Sequence, residues 1–163
     1  PYDCSINLLL EEELQVSIVG FAMNEDKLRK ILRHDAVMIG SDGNAISPAG
    51  PFGGRKPHPR AYGSFARVLG KYCREEKLFS WETAVKKMSS MPAEKVGLKN
   101  RGLLQIGYFA DIVVFDPNTV IDRASYIDPH QFAAGIDHVF VNGSHAVKNR
   151  HYTGTLSGQV VRG

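Results

Sequence analysis

Two short stretches hold the residues best suited to chemistry. The first is Ser41-Asp42-Gly43, directly after the apolar run Ala36-Val37-Met38-Ile39-Gly40. In parallel α/β sheets, functional groups gather beyond the carboxyl ends of the strands. Asp42 stands just past such an end, beside a glycine that lets a ligand approach. An Asp before a Gly also serves a plain exposed turn, so position alone leaves both roles open. The second stretch is His58-Pro59-Arg60. An arginine there can hold a carboxylate through two parallel N–H···O bonds, a geometry lysine cannot offer. It can equally be a surface arginine.

Metal-ligand spacing is missing. The six histidines are His34, His58, His130, His138, His145 and His151, and none forms H-x-H, H-E-x-x-H or another close pair. His138 and His145 flank an expected hairpin, where they can face each other or simply lie on the surface. A catalytic zinc takes about three protein ligands, and local spacing does not supply them. There is no G-x-S-x-G, no P-loop and no dinucleotide fingerprint. The glycine-rich run Gly50-Pro51-Phe52-Gly53-Gly54 lacks the following helix that would make it a phosphate cradle.

The elements that must position these residues are legible from periodicity. Residues 6–14 are rich in Leu and Glu and read as a helix. Residues 15–21 are β-branched and nearly free of charge, as a strand buried on both faces should be. Asn24 is a good N-cap, followed by Glu25 and Asp26 and then Leu28, Ile31 and Leu32 at helical spacing. With residues 36–40 as a second strand, this makes a βαβ unit with parallel strands. Residues 44–59 read as a long Gly- and Pro-rich loop.

A helix over 62–76 carries Phe65, Val68, Leu69 and Tyr72 on one face. Ser80 caps another over 81–89, with Ala84, Val85 and Met88 as its buried stripe. A short third helix has Pro92 near its start and stops before Gly97. Beyond Gly97 the pattern turns to strands, within 103–114, over 136–141 and over 144–148. Asn142-Gly143 is a type I′ hairpin signal between the last two.

Composition sets the outer bounds. The chain has 163 residues, 43% hydrophobic and 23% charged, which is a globular composition. A closed eight-fold β/α barrel needs ~250 residues and cannot be built from it alone. Twenty basic against 17 acidic residues leave a net +3, scattered rather than clustered. That pattern predicts no nucleic-acid partner, and no apolar run approaches the ~18 residues of a membrane helix. Cys4 and Cys73 form no disulfide framework, so a reducing, cytoplasmic setting is expected. A start at Pro1 with neither Met nor a signal pattern predicts a piece of something longer.

Taken together, several runs resemble the D-aminoacylase branch of the amidohydrolase superfamily, the N-acyl-D-amino-acid deacylases. They are Val37-Met38-Ile39-Gly40-Ser41-Asp42-Gly43, then His58-Pro59-Arg60 with Tyr62-Gly63, Phe65 and Arg67-Val68-Leu69-Gly70. Lys87 to Glu94, Arg101-Gly102-Leu103-Leu104, Gly107 to Pro117, Asp128-Pro129-His130-Gln131 and Val141-Asn142-Gly143 continue the likeness over essentially the whole chain. The Gly-x-x-Ala-Asp-Ile-Val-Val-Phe-Asp run recurs across amidohydrolases; the Ser-Asp-Gly and His-Pro-Arg pairing is narrower.

The resemblance implies an α/β fold: the last two βα units of a (β/α)8 barrel over residues 1–97, then strands of a small β-sandwich over 98–163. It implies a hydrolase that uses a zinc-activated water to cleave the amide of a small-molecule N-acyl-D-amino acid. Asp42 would lie at the metal site and handle the proton of the water, and Arg60 would hold the substrate carboxylate. The remaining zinc ligands would lie upstream, leaving this piece inactive alone. The alternatives are a hydantoinase- or dihydroorotase-like enzyme, against which the His-Pro-Arg run argues, and a non-catalytic fold fragment. Residues 15–21 would then expose apolar surface that a missing neighbour covers, a route to self-association.

Overall fold

The computed structural model describes residues 2–16, 20 and 23–162. The chain divides into two compact units, Pro1–Lys30 and Ile31–Gly163. In the first, helix α1 (Tyr2–Glu11) starts earlier than the Leu/Glu pattern predicts and buries none of its side chains. It ends where Glu13 and Leu14 take positive φ angles of 49° and 64°. Helix α2 (Glu25–Arg33) begins as its sequence dictates. The Asn24 carboxamide oxygen accepts from the backbone N–H of Asp26 at 2.9 Å and of Lys27 at 3.3 Å. Arg29 pairs with Glu25 at 3.5 Å and Asp26 at 3.2 Å, one helical turn back. The strand expected over 15–21 lies mostly outside the described residues, and so does the apolar surface expected along it.

The pairing expected of a parallel βαβ unit lies outside the described residues, because most of its first strand does. Ala36 is in a turn and residues 37–40 join no ladder; helix α4 (Trp81–Met88) ties this run through Lys87. Ile39 N–H donates to the Lys87 carbonyl at 3.0 Å. The Lys87 ammonium donates to the carbonyls of His34 at 2.5 Å and Val37 at 2.9 Å. Lys87 is only 2% exposed, and those two carbonyls are what make burial of its charge tolerable.

Around this tie the second unit packs its core. Helix α3 (Arg60–Arg67) continues without a break into a π-helix over Val68–Glu75, where a single α-helix is expected. Val68, Leu69 and Tyr72 are buried there, as the predicted face requires, and so is Cys73; Phe65 of the same face stays 45% exposed. The wider turn coincides with Gly70, where a Cβ would fall 2.4 Å from the Val120 carbonyl oxygen. Val120 itself is fully buried. Arg74 donates to the same carbonyl at 2.6 Å, so the π-helix and the 117–122 segment lock together.

Ser80 caps α4 by accepting from Thr83 N–H at 3.2 Å, a contact worth ~1 kcal/mol. The short α5 (Ser90–Lys95) follows, with Ala93 buried. The remainder is one antiparallel sheet in the order β1-β2-β3-β4. Its strands are β1 (Ile112–Phe115), β2 (Ile136–Val141), β3 (Ser144–Lys148) and β4 (His151–Tyr152). The β2–β3 turn is the one its sequence predicts, with φ of 48° at Asn142 and 80° at Gly143. The stretch expected to be strand from 103 onward is irregular until Ile112. Arg101 pairs there with Asp111 and donates to the Asn142 side-chain oxygen at 2.6 Å. Asp111 accepts from Asn142 N–H at 2.8 Å.

Candidate active site

Asp42 takes the left-handed conformation, φ 50°, which Asp tolerates better than most residues. Gly43 follows, where a Cβ would sit 2.9 Å from Ala61 Cα. Only a residue without a side chain lets the backbone pass this close to the start of α3. That approach brings the two candidate residues together. Arg60 Nη1 lies 2.9 Å from Asp42 Oδ2, with the side chains 44% and 84% exposed. An ion pair this open to solvent contributes ~0–1 kcal/mol, so little energy holds Arg60 to Asp42.

His58 organises the same corner. Its Nδ1 accepts from Arg60 N–H at 3.0 Å, so the ring proton of the neutral tautomer sits on Nε2. From there it donates to the Tyr126 hydroxyl at 3.1 Å. Partial desolvation and then the Arg60 guanidinium hold His58 below its ordinary pKa, with Asp42 pulling the other way. The ring therefore stays neutral near pH 7, which keeps Nδ1 free to accept.

Tyr62, one turn into α3, closes the loop between the two candidate residues. Its hydroxyl reaches the Ile46 carbonyl at 2.7 Å and His130 Nδ1 at 2.9 Å. His130 Nε2 lies 2.7 Å from the Arg55 carbonyl. Both ends of the loop are thus held by one tyrosine–histidine pair. Burial raises the Tyr62 pKa and keeps its proton in place.

Among the described residues, no group of three or more His, Cys, Asp and Glu side chains gathers as a metal would require. The charged partner beside Asp42 is a cation, not another ligand. The described residues therefore do not form a metal centre by themselves. Cys73 is buried in the π-helix, and Cys4 is exposed and free. His138 and His145 do face each other, Nδ1 to Nε2 at 3.1 Å, within the hairpin. Sequence reasoning brought out Asp42, His58 and Arg60 but gave no role to Tyr62, Tyr126 or His130. Their contacts span 68 residues, and no local spacing announces them.

Residues 9–147 match the model of the Amidohydrolase family, and the chain belongs to that family. It is 49% identical over 125 residues to an N-acyl-D-glutamate deacylase of Alcaligenes xylosoxydans xylosoxydans, covering 77% of this chain and 24% of that protein. It superposes on a D-aminoacylase with a binuclear metal centre at a TM-score of 0.78, with 45% identity over 86% of this chain and 28% of that one. A second solved structure is the N-acyl-D-glutamate deacylase of Bordetella bronchiseptica, complexed with zinc and a phosphonate that mimics the tetrahedral intermediate. Its TM-score is 0.74, with 42% identity over 88% of this chain and 28% of that one. The chain thus spans about a quarter of the length of these relatives.

Proposed function

We propose that the protein carrying this chain hydrolyses the amide bond of N-acyl-D-amino acids, and that this chain is its C-terminal part, inactive alone. In this reading residues 1–97 are the last two βα units of a (β/α)8 barrel, and 98–163 belong to its small β-sandwich. The likeness to the solved D-aminoacylase supports that placement.

The observation that carries the functional reading is the 2.9 Å contact between Asp42 and Arg60. In an N-acyl amino acid, the carboxylate and the scissile amide nitrogen are bonded to the same carbon. A residue that holds the carboxylate and one that serves the amide must therefore be neighbours, as these two are. Substrate carboxylate replaces Asp42 on the Arg60 guanidinium, and this leaves the Asp42 carboxylate free to act as base. Asp42 takes a proton from the attacking water as oxygen bonds to the acyl carbon. It returns that proton to the amine nitrogen as the C–N bond breaks, releasing a carboxylic acid and a D-amino acid. Zinc, held by Asp42 and by ligands outside these residues, would make the water a stronger nucleophile near neutral pH.

The test is made on the full-length protein with N-acetyl-D-glutamate. Asp42→Asn is expected to cut kcat by about 10²–10⁴ with the melting temperature retained. Undiminished turnover in that variant sinks the reading.

A further inference from the structure

We infer that the segment from Tyr126 to Phe132 is a positioning strap for Arg60, and that Tyr126 and His130 tune how the protein holds a substrate carboxylate. The inference rests on the clamp role proposed above for Arg60. It assigns function to two residues far from Arg60 in sequence.

Two tyrosine–histidine pairs are crossed between the strap and the start of α3. At one end His58, next to α3, meets Tyr126 of the strap; the hydrogen bond is 3.1 Å and the rings are edge to face at 5.0 Å. At the other end Tyr62 of α3 meets His130 of the strap at 2.9 Å, edge to face at 5.5 Å. Phe132 adds a further edge contact on Tyr62 at 5.7 Å. Arg60 lies between these two anchor points on the chain.

Each pair fixes something different. Tyr126 holds the His58 ring in the orientation whose Nδ1 accepts the Arg60 N–H, and so sets the backbone from which the guanidinium projects. His130 reaches past Tyr62 to the Arg55 carbonyl, while Tyr62 reaches Ile46, so the loop between Asp42 and Arg60 keeps one span. Tyr126 meets His58, and His130 meets Tyr62. They act through His58 and Tyr62.

A strap of this kind has a signature that a purely structural one lacks. Loosening it should weaken recognition of the carboxylate while leaving the amide chemistry in place. In the full-length protein, KM is measured for an N-acetyl-D-amino acid and for the matching carboxamide, in Tyr126→Phe, His130→Ala, Arg60→Ala and the double variants with Arg60→Ala. Tyr126→Phe keeps the ring of an exposed side chain and removes only the hydroxyl, so its fold is retained.

Each single strap variant should raise KM for the carboxylate substrate by about three- to tenfold, the loss of roughly one hydrogen bond's worth of placement. KM for the carboxamide and kcat should stay within about twofold. With Arg60→Ala present, the strap variants should add no further rise, the mark of residues acting through one another. Equal effects on both substrates, or effects that add to Arg60→Ala, would overturn the strap. If Arg60→Ala raises KM equally for both substrates, or for neither, the clamp reading fails and the strap falls with it. A preference lost in Arg60→Ala but kept in both strap variants overturns the strap alone.

Discussion

The Lys87 ammonium donates to the Val37 carbonyl at 2.9 Å, inside a side chain that is almost wholly buried. This contact sets where the 36–40 segment runs, and Asp42 stands at the end of that segment. A buried cation held by carbonyls rather than by a carboxylate cannot be replaced by an apolar chain without taking a donor from the His34 and Val37 carbonyls. Lys87→Met is therefore expected to cost about 1–3 kcal/mol of stability, read as a lower denaturant midpoint. An unchanged midpoint would show that Lys87 contributes nothing to holding the segment.

Gly70 faces the Val120 carbonyl so closely that an added methyl has nowhere to go. Gly70→Ala should destabilise by about 1–3 kcal/mol, since the π-helix and the 117–122 segment must separate to admit it. A melting temperature equal to that of the parent would contradict the packing described for Val120.

Asp111 answers both Arg101 and the backbone of Asn142. Asp111→Ala strips the turn of an acceptor and leaves the half-buried arginine without its carboxylate. The expected loss is about 1–3 kcal/mol, and hydrogen exchange at Asn142 and Gly143 should quicken. Asp111→Asn keeps an acceptor for the Asn142 N–H and should recover part of it.

His145 is held below the ordinary histidine value of 6.5 by desolvation, then by His138 and Lys148. A histidine whose folded pKa is depressed stabilises the fold above its unfolded pKa. That contribution declines as pH falls from about 6.5 and is gone below the folded value. His138→Asn removes one of the opposing charges, so the His145 titration should move up toward 6.5 when followed by NMR. No upward movement would mean that His138 does not act on it.

Local chemistry was readable wherever one element settles its own structure. Asn24 and Ser80 announced their helices, and Asn142-Gly143 announced the hairpin, because caps and turns depend on two or three adjacent residues. The 36–40 run read as a strand whose expected partner lies mostly outside the described residues, and its tie to Lys87, 50 residues along the chain, is one that no local pattern announces. The π-helix was hidden for the same reason: the packing of Val120 against Gly70 is a tertiary fact. At the candidate site, residue type pointed to Asp42 and Arg60, and geometry brought them into contact. Tyr62 read only as a residue near the start of a helix, and its partner His130 lies too far along the chain for periodicity to connect them.

His58 to Tyr126 and Tyr62 to His130 are separated by the same 68 residues. The start of α3 and the strap therefore run side by side in the same direction, like two rails joined by two rungs. Length added or lost anywhere between Tyr62 and Tyr126 shifts both rungs together and leaves their register intact. One residue inserted between Tyr126 and His130 breaks the register, so one rung can form only at the expense of the other. Variation in chain length between Tyr62 and Tyr126 thus spares the two rungs themselves, whereas within the few residues of either rail it breaks them.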